Sequence, residues 1–175
     1  MITSTAVNSQ STTTPYEVFR STTTGTSVGV EQTSAVTTIM LCNTGTPSAT
    51  DETVNSVSVN IHLVKKGQTA KVSNLIVSNL TIPAGETVIF NEERIILDGG
   101  DLIYIGSSAG PIITTGSFVS GNNYTILNVG DTSFTSIGAS ANTSGVHFTA
   151  SGIGGGTTGT AYQNLLSVTV STLPV

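Results

Sequence analysis

Five of the ten acidic residues crowd into residues 81–103, TIPAGETVIFNEERIILDGGDLI: Glu86, Glu92, Glu93, Asp98 and Asp101. Clustered carboxylates can hold a metal or share general acid and base work. They can also mark the turns of a small sheet. The spacing favours turns. Pro83 and Gly85 sit where a strand must stop and reverse. Asp98-Gly-Gly-Asp101 reads as a tight turn, because glycine tolerates positive φ. Calcium takes about six to eight oxygens from a defined loop; Asp98 and Asp101 around two glycines supply too few. The five carboxylates are expected mainly at strand boundaries, close to solvent.

Other chemistry is thinner. His62 and His147 are 85 positions apart, with no cysteine or paired acid at ligand spacing. Cys42 is the only cysteine, so no intrachain disulfide forms. Its apolar setting, AVTTIMLCN, reads as a buried, inert thiol. Serines abound, but a triad needs a base and an orienter, and no Gly-x-Ser-x-Gly elbow is present. GIGGGTTG (152–159) resembles phosphate-binding loops only in glycine content: it lacks the Gly-Lys-Ser/Thr ending, and no helix follows. It reads as a hairpin. No catalytic, cofactor-binding or metal residue is assigned, and the chain reads as non-enzymatic.

The elements that would carry these residues are strands. Alternation or short apolar runs mark YEVFR (16–20), SVGV (27–30), AVTTIMLCN (35–43), VNSVSVNIHLV (54–64), NLIVSNLTI (74–82), TVIF (87–90), RIIL (94–97), DLIYI (101–105) and NLLSVTVSTLPV (164–175). In the clearest, Val57, Val59, Ile61 and Leu63 share one face. Residues 1–15 are rich in Ser and Thr, without charge or periodicity, and read as an extended arm. Residues 110–162 are glycine-rich, with short alternating pieces between turns. They read as a small β-module with Tyr124, Ile126, Phe134, Ile137 and Phe148 at its core.

Composition limits the partners. Only 9% of residues are charged, against roughly 25% in an ordinary domain, and Ser, Thr, Asn and Gly fill the gap. Hydroxyl-rich surface is cheaper to bury against a neighbour than charge. The net charge is −5 and the five cations form no stripe, which argues against nucleic acid. No apolar run approaches a membrane span of roughly 20 residues, and the N-terminus lacks a signal-peptide pattern. The expectation is synthesis in a cytoplasm, as a soluble or assembled protein.

GNNYTI, VGDTSFTSIGAS, VHFTA and TTGTA, within residues 116–161, resemble a short repeat of tailed-phage structural proteins, especially those of cyanophages. The order of an alternating strand, CNTG, VSVNIHLV, IPAGETVIF and RIILDGGDLI is similar to that of small β-sandwich virion proteins of tailed phages. The resemblance implies an all-β, antiparallel sandwich of jelly-roll or immunoglobulin-like type, residues 16–109 plus 163–175. Residues 110–162 would be a module inserted before the last strand, and residues 1–15 an arm lying along a neighbouring subunit. It implies a virion structural protein, a capsid decoration or cement protein that stabilises the phage head. A tail, neck or baseplate accessory or fibre protein, or a host-glycan-binding adhesin, is the alternative. Partners would be the major capsid protein or tail and neck proteins, with the chain itself a homo-oligomer, a trimer by closed symmetry.

Overall fold

The computed structural model describes residues 1–7, 14–21, 33–91 and 94–175. The expected strand at 27–30, Glu92, Glu93 and arm residues 8–13 lie outside the described residues. The chain forms two compact units: Met1–Ser108 with Leu166–Val175, and Ala109–Leu165.

The first unit is built from β1 (Ile2–Ala6), β2 (Tyr16–Arg20), β3 (Ser34–Asn43), β4 (Val57–Val64), β5 (Leu75–Ile82), β6 (Thr87–Phe90), β7 (Ile95–Leu97), β8 (Leu102–Ser107) and β13 (Leu166–Pro174). One sheet runs β1-β13-β3-β6, with β7 also on β3; the other runs β2-β8-β4-β5. All pairs are antiparallel, and their order is nested. β1 pairs with β13, β2 with β8, β3 with β6 and β7, and β4 with β5. First with last, second with next-to-last, is the strand order of a chain doubled into one long ribbon and rolled into two sheets. This is a jelly roll. An immunoglobulin-like order would separate the strands differently.

Period-two alternation fixes the inward faces. Val36, Ile39 and Leu41 of β3 and Leu166, Val168 and Val170 of β13 are buried, as are Val57, Val59 and Ile61 of β4 and Ile103 and Ile105 of β8. Each such side chain contributes about 1.5–3 kcal/mol on burial. Leu63 departs from the expected face: it is half-buried, while His62 and Val64 on the opposite side are buried. The sequence reading of residues 1–15 also needs correction. Ile2–Ala6 is not an arm on a neighbour but an edge strand of the chain's own sheet, in register from Ile2 against Ser171 to Ala6 against Ser167. ITSTA has hydroxyls where strong strand signals have apolar residues, so its partner, not its own pattern, makes it a strand.

The second unit is one sheet, ordered β11-β10-β12-β9, formed by β9 (Ile112–Thr114), β10 (Asn123–Asn128), β11 (His147–Thr149) and β12 (Thr160–Gln163). Its core is a cluster of Phe118, Tyr124, Ile126, Phe134, Ile137 and Phe148 with three alanines. Phe118 meets Tyr124 edge-on at 5.0 Å between centroids, and Tyr124 stacks on Phe148 at 5.6 Å. Such geometries add about 0.5–1.5 kcal/mol per pair beyond area burial.

Candidate functional site

The acidic stretch resolves into unlike parts. Glu86 and Asp98 are exposed, as turn residues should be, but Asp101 is 3% exposed. Asp101 departs from the expectation that these carboxylates lie mainly near solvent. Asp101 Oδ2 lies 2.7 Å from Lys65 Nζ, and its Oδ1 accepts the Lys66 amide at 3.0 Å. Lys65 reaches Asp98 as well, at 3.0 Å. Gly100 makes the turn possible: its φ is +90°, and its amide donates to Ser21 O at 2.7 Å. Burial pushes the Asp101 carboxyl up, but the hydrogen bonds from Lys65 and the backbone amides outweigh it, so its pKa lies below the usual carboxylate range. The result is a structural clasp joining the ends of β4, β7 and β8. With Lys65 held protonated by the two carboxylates, it offers neither a free base nor a nucleophilic amine.

The glycine-rich loop also holds an anion, supplied by the protein. Asp131 Oδ1 accepts the amides of Thr157 and Thr158 at 2.8 and 2.9 Å and the Thr158 hydroxyl at 2.9 Å; Oδ2 accepts the Thr157 hydroxyl at 3.0 Å. These donors hold the exposed Asp131 carboxyl well below the usual range, the backbone amides contributing most. Gly156 permits the approach: at φ +110°, a Cβ there would stand 2.8 Å from Asp131 Oδ1. The amides that could have cradled a phosphate are therefore occupied.

Neither histidine is placed as a general base. His62 Nδ1 faces two acceptors, Lys71 O at 3.2 Å and Asn74 Oδ1 at 3.1 Å, so this nitrogen carries the proton. Its Nε2 is buried and has no hydrogen-bond partner among the described residues. His147 Nδ1 lies 2.7 Å from Thr125 Oγ1, and that hydroxyl donates to Asn164 Oδ1 at 3.1 Å. One hydroxyl hydrogen cannot serve both, so Nδ1–H donates to Thr125 and cannot take its proton. Partial burial of the ring shifts His147 below the ordinary imidazole range, although the residue as a whole faces solvent. Thr125 itself is 2% exposed, out of reach of a substrate. Cys42 is half-buried on the outer side of β3, not in the core as its apolar neighbours implied; Leu41 and Asn43 hold the inward positions. Among the described residues, no group of three or more His, Cys, Asp or Glu is placed to hold a metal.

Asn43 is the residue that sequence reasoning passed over. It is fully buried, and its Nδ2 donates to Asn55 O at 2.8 Å and to Ile82 O at 2.9 Å, while Oδ1 accepts the Gly45 amide at 2.9 Å. Its backbone amide donates to Glu86 O at 2.9 Å. One side chain thus ties the long loop after β3 to the turn between β5 and β6. Together they wall an open groove of Pro47, Val54, Ala84 and Val88, flanked by Glu52 and Glu86. An asparagine after an apolar strand and before Thr-Gly is the only signal that could have found it.

A charge asymmetry completes the picture. The five strands β1, β3, β6, β7 and β13 contain no charged residue and no histidine. Their outer positions include the exposed Ile2, Met40, Ile89, Ile96 and Leu173. The opposite sheet carries Glu17, Arg20 and His62. No family model, curated protein or solved structure matches the chain.

Proposed function

We propose that the chain is a non-enzymatic structural subunit of a tailed-phage particle, acting as a capsid decoration protein that stabilises the head. The observation that carries this reading is the uncharged sheet. Strands that expose apolar side chains and carry no charged side chain of their own are suited to lasting burial against protein, since interface cores are depleted in charged residues. The jelly roll supports it only by analogy, because that fold also serves lectins and enzymes. The sequence resemblance in residues 116–161 supplies the phage context. The partner is the shell protein or a symmetric copy of the chain. A closed oligomer would cover the sheet without leaving an open edge.

The adhesin alternative is less well supported. Sugar sites present aromatic faces with a few placed polar groups, whereas every Phe and Tyr in the chain is buried or half-buried. A tail or neck position fits the same uncharged sheet. The test is to locate the protein on intact particles by cryo-electron microscopy. Density for the jelly roll on the head, seated through the β1-β13-β3-β6 sheet, is expected. Its absence from particles, or attachment through the Glu17 and Arg20 face, would overturn the reading.

A further inference from the structure

The edge strand β6 lies beside the groove lined by Pro47, Val54, Ala84 and Val88. β6 ends its sheet. The Asn43 amide donates to Glu86 O, and the register then continues Leu41 against Val88 and Ile39 against Phe90. Backbone groups of Val88 and Phe90 therefore face β3, and those of Thr87 and Ile89 point away from the sheet. Both residues are exposed. A strand edge of this kind is a template for another chain. Native edges are commonly blunted with charge, proline or a bulge, and TVIF has none of these.

The surroundings specify what would bind. The groove offers Pro47, Val54, Ala84 and Val88 as apolar contacts. Glu52 and Glu86 stand at its rim, and neither carboxylate has a side-chain partner among the described residues. By contrast Glu17 pairs with Arg20, and Asp98 and Asp101 pair with Lys65. The Asn43 hydrogen bonds fix both walls, so little ordering is required on binding.

We propose that β6 receives an extended segment of a partner protein by strand addition, with alternate apolar side chains in the groove and a Lys or Arg against Glu52 and Glu86. Main-chain hydrogen bonds to Thr87 and Ile89 would supply affinity, and the groove and carboxylates specificity. This inference stands on edge geometry and charge, and does not require the particle assignment above.

The probe is an acetylated, amidated peptide of alternating valine and threonine with an arginine at each end, titrated into the full chain and followed by amide NMR. Saturable binding is expected, with slowed exchange of the Thr87 and Ile89 amides. Replacing the arginines by glutamates, or making Glu52→Gln with Glu86→Gln, should weaken binding about tenfold or more, and added salt should weaken it too. Ile89→Pro should abolish binding and leave the other amide resonances in place, because the Ile89 N–H points away from β3 and has no acceptor among the described residues. Peptides N-methylated at alternate amides test the same contact without altering the protein. No saturation up to about 1 mM, or binding indifferent to N-methylation and charge reversal, would overturn the proposal. So would protection of Thr87 and Ile89 that grows with protein concentration alone, which would assign the edge to a second copy.

Discussion

The jelly roll and the inserted module solve the same problem with different materials. The jelly roll buries β-branched and aliphatic side chains between two sheets, Phe19 being its one buried Phe or Tyr ring. The module has a single sheet and no second one to close against. It fills the gap with four packed rings, Phe118, Tyr124, Phe134 and Phe148, and with a glycine-rich covering chain. Each unit also closes an end with an aspartate. Asp101 is buried and shared by an ammonium and backbone amides. Asp131 is exposed and held by backbone amides and hydroxyls alone. A unit with two sheets can enclose a charge and its partner. A one-sheet module of about 57 residues, Ala109–Leu165, is near the lower size for independent stability and keeps its charge at the surface.

The largest effect should come from breaking the aromatic cluster. Phe134→Ala is expected to cost about 3–5 kcal/mol and to unfold residues 109–165 while the jelly-roll amides stay protected in hydrogen exchange. Loss of protection in both units together would erase the distinction between them.

Asn43→Ala acts on the other unit. It would leave the Gly45 amide and the Asn55 and Ile82 carbonyls without their side-chain partner, at a cost of about 2 kcal/mol or more. Denaturant unfolding of the jelly roll should shift, and that of the module should not.

Asp101→Ala is expected to cost about 1–3 kcal/mol, mostly through the backbone amides that lose their acceptor. Lys65 is largely in solvent, so the ion pair itself adds little. The folded-state pKa is depressed, so this stabilisation is present above the unfolded carboxylate value of about 4 and is lost as pH falls through the folded value. The variant should therefore show a shallower loss of stability on acidification below about pH 4 than the unaltered protein.

The smallest effect is local. Asp131→Ala should speed amide exchange at Thr157 and Thr158 without moving the unfolding midpoint of the jelly roll. The sign of its pH dependence matches that of Asp101, since its pKa is also depressed. Unchanged exchange at those two amides would remove Asp131 from its role.

What the sequence showed was local. Alternation in VSVNIHLV and LSVTV, and the turns at Pro83–Gly85 and Asp98–Asp101, were legible because side-chain period and glycine conformation are properties of a few neighbouring residues. The five core residues expected in the module, Tyr124, Ile126, Phe134, Ile137 and Phe148, are all buried. What stayed hidden depends on distant partners. β1 is a strand because of β13, at the other end of the chain. Asp101 is buried because Lys65 reaches it, and Asn43 acts through Asn55 and Ile82. The rim carboxylates Glu52 and Glu86 were visible as acids, but only the fold brings them to one groove.

The two-unit organisation is tested most directly by excision. Ser108 is joined to Leu166 through a short Gly-Ser link, and amide spectra and urea unfolding of the shortened chain are compared with those of the full chain. Because closing a shorter loop costs slightly less entropy, a cooperative transition at an equal or slightly higher urea concentration is expected. The β1–β13 and β3–β13 amides should keep their resonances and protection. An unfolded product, or a β13 that no longer pairs with β3, would show that residues 109–165 are part of the sandwich's own folding unit.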